Sequence, residues 1–147
     1  MTRNPMSMTR SCTCRSIGVA IVLIASGCGQ KDGIERVVVS GNISFSGKPV
    51  EKGQIRFIPS GDSSGPITVE TIEGGYYTTE ATGGVPVGVH RVEIRGYDPQ
   101  VYANAPKGPG SPPIPQLLPK KYNHESELKA TLESGKSEET LDYNLSP

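Results

Sequence analysis

Residues 37–59, with the sequence VVVSGNISFSGKPVEKGQIRFIP, predict two β-strands joined by a turn. Apolar side chains occupy alternate positions of the first half, namely Val37, Val39, Ile43 and Phe45. This period of two is typical of a strand with one buried face. The run ends at residues 47–49, Gly-Lys-Pro, because glycine and proline favour turns. Ile55 and Phe57 then resume the alternation, which predicts a second half-buried strand.

Similar alternation continues along the chain, at residues 67–72, 76–79, 89–97, 128–132 and 141–145. In the first of these segments we expect Ile67, Val69 and Thr71 to share one face. In residues 89–97 we expect His90, Val92 and Ile94 on one face, with Arg91, Glu93 and Arg95 on the other. Turn-forming residues separate the segments, and none shows a helical period. The pattern predicts an all-β domain: a sandwich of about seven antiparallel strands with Greek-key connections.

Composition limits the size and the class of the protein. A length of 147 residues is enough for one domain. Fifteen basic residues balance fifteen acidic residues, so bulk charge gives no case for nucleic-acid binding. With no tryptophan and two phenylalanines, the core must be built mainly from Val, Ile, Leu and Tyr.

The N-terminal segment has the features of a signal peptide. Three arginines precede an apolar run at residues 17–25, and no acidic residue occurs before Asp32. Nine apolar residues are too few to span a bilayer of about 30 Å as a helix. Ala25-Ser26-Gly27 supplies the small residues of a cleavage site. We predict that residues 1–27 are removed, together with Cys12 and Cys14.

Residues 24–28, Ile-Ala-Ser-Gly-Cys, resemble the lipobox of bacterial lipoproteins. The resemblance implies that Cys28 is lipidated, becomes the first residue of the mature chain and anchors it to a membrane of the cell envelope. Ala25 stands where that motif usually has leucine, and the same segment fits ordinary secretion with a free thiol. In either case residues 28–34 would be a polar tether and residues 35–147 the sandwich domain.

A proline-rich excursion interrupts the domain at residues 98–119, which contain seven prolines. Proline removes the hydrogen-bond donors that a sheet requires, so we expect an extended, polyproline-like segment. Tyr97 and Tyr102 supply aromatic surface there, and stiff segments lose little entropy on docking. The excursion is the first candidate for a binding surface.

Several motifs between residues 35 and 97 resemble the carboxypeptidase regulatory-like domain, a transthyretin-like sandwich. They are Val39-x-Gly41-x-Ile43, Gly47-Lys48-Pro49-Val50, Gly53-x-Ile55-x-Phe57, Gly75-Tyr76-Tyr77 and Val87-Gly88-x-His90-x-Val92-x-Ile94. His90 stands where that family often has tyrosine. The resemblance implies a non-catalytic accessory module, for binding or structural packing, with an envelope protein or a polysaccharide as partner. The alternative is a carbohydrate-binding accessory domain with Tyr76, Tyr77 and Tyr97 as stacking platforms.

Signals for catalysis are weak. Residues 61–65 match Gly-x-Ser-x-Gly, but a nucleophile elbow opens a helix, and here Pro66 and a strand pattern follow Ser63. Only His90 and His124 could act as the base. The hydrolases of the transthyretin-like fold end in Tyr-Arg-Gly-Ser, whereas this chain ends in Asn-Leu-Ser-Pro. Zinc and calcium spacings are missing from the sequence. We therefore expect no catalytic residues, no metal site and no cofactor.

Overall fold

A computed structural model describes residues 33–106 and 108–147 of the chain. The predicted signal peptide and the lipidation site Cys28 lie outside these residues. The strands are β1 Arg36–Phe45, β2 Lys48–Pro49, β3 Lys52–Pro59, β4 Thr68–Glu73, β5 Tyr76–Thr78, β6 Val85–Pro86, β7 Gly88–Tyr97, β8 Lys129–Leu132, β9 Glu138–Thr140 and β10 Tyr143–Leu145. A helix, α1 Pro99–Asn104, and a 3-10 turn, Lys120–Tyr122, complete the elements.

The strands form one curled sheet in the order β10-β1-β5-β4-β3-β7-β8, and β2, β6 and β9 also pair with β1. Its longest ladder joins β3 to β7 antiparallel, from Lys52 opposite Tyr97 to Pro59 opposite His90. The all-β prediction is confirmed, and the half-barrel shape is consistent with a sandwich. β9 and β10 run parallel to β1, which strand patterns alone had not indicated.

The core uses the residues that the alternation selects. The fully buried apolar side chains include Val37, Val39, Ile43, Ile55, Phe57, Val92 and Ile94. Ala130, Leu132 and Leu145 extend this cluster at the C-terminal side. β-Branched side chains dominate, as expected for residues that pack on a pleated surface.

The face that Val69 and Thr71 share in the third strand is the outer face of the sheet. Ile67 precedes β4 and is 46% exposed, whereas Thr68 and Ile72 are buried. The register with β3 explains this orientation, because Thr68 lies opposite Phe57 and Ile72 opposite Gly53. Residues that lie directly opposite each other point to the same face, so the core-facing positions of β3 decide which residues of β4 are buried.

The excursion does not begin as an extended segment. Asp98 caps α1 by accepting hydrogen bonds from the backbone nitrogens of Gln100 and Val101 at 2.9 and 3.0 Å. Pro99 stands at the first helical position, where proline costs no hydrogen bond. The expectation of a polyproline-like conformation throughout is therefore wrong for residues 99–104. Within the described ranges, no helix is long and apolar enough to cross a bilayer.

The two ends of β1 define two ends of the domain. At the entry end, Arg36 pairs with Pro86, close to where the described chain begins. At the excursion end, Phe45 pairs with Lys48, and Tyr97 lies opposite Lys52. A strand of ten residues separates these ends by about 30 Å.

Candidate binding surface

Tyr97 and Tyr102 form a stacked pair at the excursion end. Their ring centroids lie 5.4 Å apart with an interplanar angle of 27°. Helix α1 creates this contact, since it turns the chain back immediately after β7 and its Tyr102 nitrogen donates to the Asp98 carbonyl at 2.8 Å. Such aromatic pairs contribute about 0.5–1.5 kcal/mol beyond their burial. The structure therefore joins two of the residues that the sequence proposed for binding.

An apolar hollow lies beside this tyrosine pair. It has a volume of about 200 Å³ and is lined by Phe45, Lys48, Pro49, Val50, Glu51, Tyr97, Pro99, Leu117 and Leu118. Leu118 is buried, whereas Leu117 is 52% exposed. Residues from the end of the excursion thus meet the β1–β2 turn around a hollow that the sequence did not reveal, because its two walls lie about 70 residues apart along the chain.

Tyr76 reaches the same outer face of the sheet as Tyr97. Tyr76 lies opposite Glu73, Glu73 opposite Lys52, and Lys52 opposite Tyr97, so the four residues form one row across β5, β4, β3 and β7. Lys52 Nζ and Glu73 Oε1 form an ion pair of 2.7 Å in the middle of the row. Three strand spacings of about 4.8 Å place the two tyrosines about 14 Å apart.

Tyr77 cannot serve as a stacking platform, and this part of the sequence prediction is wrong. Its side chain is 1% exposed and its ring contacts Phe57, with centroids 6.2 Å apart. Its hydroxyl donates a hydrogen bond to the Leu141 carbonyl at 2.9 Å. Burial raises the pKa of this hydroxyl well above its usual value. Tyr77 is a core residue, because it lies opposite Gly41 on the buried face of β1.

The outer face of β7 carries an ion-pair cluster around Glu93. Arg56 Nη1 contacts Glu93 Oε2 at 3.0 Å, and Arg91 Nη1 contacts Glu93 Oε1 at 2.8 Å. Arg95 lies further away, with its Nη2 at 3.9 Å from Oε2. The sequence indicated that Arg91, Glu93 and Arg95 share a face. It gave no signal that Arg56 from β3 would join them and that the Glu93 side chain would be only 5% exposed.

Ser63 lies in the loop at the entry end, beside an open cleft of about 770 Å³. Its hydroxyl accepts a hydrogen bond from the Val89 nitrogen at 2.6 Å. The His90 ring is fully buried, with Nδ1 3.2 Å from the Gly88 carbonyl. His124 is exposed and contacts Asn123 and Glu125. Within the described residues, neither histidine hydrogen-bonds Ser63, and no cluster of His, Cys, Asp and Glu is arranged to hold a metal.

Comparison of the chain with protein-family models, curated proteins and solved structures gave no match. The resemblance to the carboxypeptidase regulatory-like domain therefore depends on the motifs in residues 35–97 and on the all-β fold that carries them.

Proposed function

We propose that this protein is a non-catalytic lipoprotein of the cell envelope whose carboxypeptidase regulatory-like sandwich is a binding module. The chain is exported, cleaved before Cys28 and held at a membrane by lipid on that cysteine. The excursion end, with the Tyr97–Tyr102 pair and the adjacent hollow, is the surface offered to an envelope protein or polysaccharide.

The position of this surface relative to the start of the domain is the main support for the proposal. The described chain enters at Arg36, at one end of β1, and the tyrosine pair lies by the other end of that strand. A tether at residues 28–34 would therefore lead into the end of the domain opposite to the hollow. In an anchored domain of this kind, the apolar and aromatic groups would lie about 30 Å from the end at which the chain enters the sheet.

The row from Tyr76 to Tyr97 favours a second candidate, a carbohydrate-binding accessory domain. Both rings are on the outer face of the sheet, and Tyr76 is 50% exposed. Aromatic rings separated along a polar row can contact successive parts of one extended chain. Tyr77, the third platform of the original hypothesis, is excluded by its burial.

Intact-mass analysis and membrane fractionation of the natively expressed protein test whether it is exported, cleaved before Cys28 and lipidated. We expect a diacylglyceryl mass increment on Cys28, and loss of both the increment and membrane association in Cys28→Ala. Cys12→Ala is the matched control, since Cys12 belongs to the segment that we expect to be removed, and it should leave the mature protein unchanged. An unmodified chain beginning at Cys28 in the soluble fraction would show that the protein is secreted instead.

A further inference from the structure

The outer face formed by β3, β7 and β8 carries five basic side chains, although the chain as a whole has no net charge. One of them, Lys52, is paired with Glu73 of the neighbouring strand β4. Lys129 of β8 lies opposite Arg91 of β7, so the two side chains share a face. The basic side chains that project from this face are Lys52, Arg56, Arg91, Arg95 and Lys129. Glu93 is the only acidic residue among the outward positions of these three strands. We call this surface the basic face.

Glu93 does not neutralise the arginines around it. Its two carboxylate oxygens are each within 3.0 Å of one guanidinium, from Arg91 and from Arg56. Arg95 approaches only to 3.9 Å, beyond hydrogen-bond distance, and its side chain is 35% exposed. Arg95 forms no other ion pair within the described residues. Its planar set of N–H donors is thus available to an anionic group from outside.

An aromatic platform adjoins this guanidinium. Arg95 and Tyr97 are two residues apart on the same side of β7, a separation of about 7 Å. Tyr102 stacks on Tyr97, and Gln54 lies opposite Arg95 with an amide that can donate or accept. A sugar ring has apolar C–H faces that pack on aromatic rings, while an acidic sugar also carries a carboxylate or sulfate that matches a guanidinium.

The basic face continues along β7 to the cleft at the entry end. Arg91 and Lys129 line that cleft, together with the hydroxyls of Ser60 and Ser63 and the carboxylates of Asp62 and Glu127. Tyr97 lies six positions after Arg91, which gives a path of about 20 Å along the strand. The path has an aromatic pair at one end, and hydroxyls with two cations at the other. Its length is enough for several units of a polymer.

We propose that the basic face binds an acidic polysaccharide, with a sugar ring packing on Tyr97 of the tyrosine pair and Arg95 binding the carboxylate or sulfate of that sugar. The inference rests on the binding-module function proposed above and names the class of its ligand. It does not depend on lipidation of Cys28. A nucleic acid fits less well, because its closely spaced phosphates need several available cations, whereas Lys52, Arg56 and Arg91 are already paired with Glu73 or Glu93. A bilayer fits less well because Gln54 and Glu93, the outward positions across from Arg95 and before it, are polar, whereas a membrane-binding surface presents a continuous apolar side.

The test is affinity electrophoresis and calorimetry of the natively expressed protein, in detergent if it is membrane-bound. The acidic probes are polygalacturonate, alginate and dextran sulfate, and the neutral control is dextran. We expect binding to at least one acidic polymer, weakened by salt because exposed charges are screened. Arg95→Gln and Tyr97→Ala should each weaken binding by roughly tenfold or more, as for the loss of a charge-assisted hydrogen bond or a stacking contact.

Conservative and matched variants separate recognition from folding and from bulk charge. Tyr97→Phe keeps the ring and should retain binding, and Arg95→Lys should retain part of it. Lys136→Gln removes one positive charge from the turn after β8 and should leave affinity unchanged. Thermal unfolding of every variant identifies any that fails to fold.

Three results would overturn the inference. The first is no binding to any of the acidic polymers. The second is equal binding to DNA or to phosphatidylglycerol vesicles that is insensitive to Tyr97→Ala, which would indicate a general polyanion effect. The third is preference for dextran, which would leave the carbohydrate-binding function standing while removing the acidic ligand. None of these results alters the outcome of the fractionation experiment. An error in the proposed ligand can therefore be distinguished from an error in the proposed export and lipidation.

Discussion

The α-carbon of Gly41 in β1 faces the backbone carbonyl of Leu141, and a β-carbon at position 41 would overlap that oxygen. Leu141 lies between β9 and β10, where its nitrogen donates to the Ser40 carbonyl at 2.8 Å. One residue later, Asp142 Oδ1 accepts from the Asn42 nitrogen at 2.6 Å. The C-terminal segment is thus held against β1 at a place where only glycine leaves room for it.

Gly41→Ala should therefore destabilise the domain by about 2–3 kcal/mol, the upper part of the range for adding a methyl group to a packed site, because the group that it meets is backbone. The expected cause is displacement of residues 141–142 from β1. Urea unfolding measures the effect. Gly61→Ala is the control, since its β-carbon would meet open space and only the positive φ of 64° would cost stability, about 1 kcal/mol. Equal losses for the two variants would contradict the close-approach argument.

Mutations at Tyr76 and Tyr77, which are adjacent in sequence, should differ strongly in their effect on the free energy of unfolding. Tyr77→Ala removes a buried ring and its hydrogen bond to Leu141, so we expect a loss of about 3–5 kcal/mol in the free energy of unfolding. Tyr77→Phe removes only the hydrogen bond and should cost about 1 kcal/mol. Tyr76→Ala is the matched control and should leave stability nearly unchanged. A large loss on Tyr76→Ala, with little effect at Tyr77, would contradict the observed orientation.

Stability should fall as the pH drops through the range in which histidine titrates. His90 is fully buried, and its Nε2 has no hydrogen-bond partner within the described residues. Burial lowers the pKa of His90, while its bond to the Gly88 carbonyl opposes the shift. Below about pH 6.5 the unfolded chain binds a proton that the folded chain does not bind. The free energy of unfolding should then decrease by at most about 1.4 kcal/mol for each pH unit.

Urea unfolding of wild type and His90→Leu between pH 8 and pH 5 measures this dependence. Leucine cannot titrate, so the His90→Leu profile should be flatter than that of wild type, even if its stability at pH 8 is lower. His124→Gln, which changes the other histidine at an exposed position, is the matched control for the effect of substituting a histidine. A wild-type stability that is the same at pH 7.5 and pH 5.5 would rule out the assigned role of His90.

Glu93→Gln should destabilise the domain, because it leaves the arginines of the basic face to repel one another. The carboxylate is 5% exposed and bridges Arg56 and Arg91, whose side chains are about one-third exposed. We expect a loss of about 1–3 kcal/mol, less than for a fully buried pair. Part of the loss should return at 0.5 M salt, since salt screens like charges. Glu73→Gln removes an exposed carboxylate from Lys52 and should have no measurable effect.

Local pattern was enough to predict the class of fold and most of the core. Period-two alternation places Val37 and Val39, or Val92 and Ile94, on one side of a strand whatever the neighbouring strand is. The capping signal of α1 was also present in the sequence, as an aspartate directly before a proline. The prolines that follow this signal nevertheless favoured the prediction of an extended segment over that of a helix. The predicted signal peptide and lipidation site, from the arginines to Cys28, likewise depend only on residues that are neighbours in sequence.

The tertiary structure decided what depends on strand register. Alternation shows that Tyr76 and Tyr77 face opposite ways, but only the pairing of Gly41 with Tyr77 shows which of them enters the core. In the same way, pairing of β4 with β3 buries Ile72 rather than Ile67. The row from Tyr76 to Tyr97 and the cluster of Arg56 with Glu93 join residues that are 21 and 37 positions apart. Contacts of this kind arise from the packing of whole strands, so no local sequence pattern contains them.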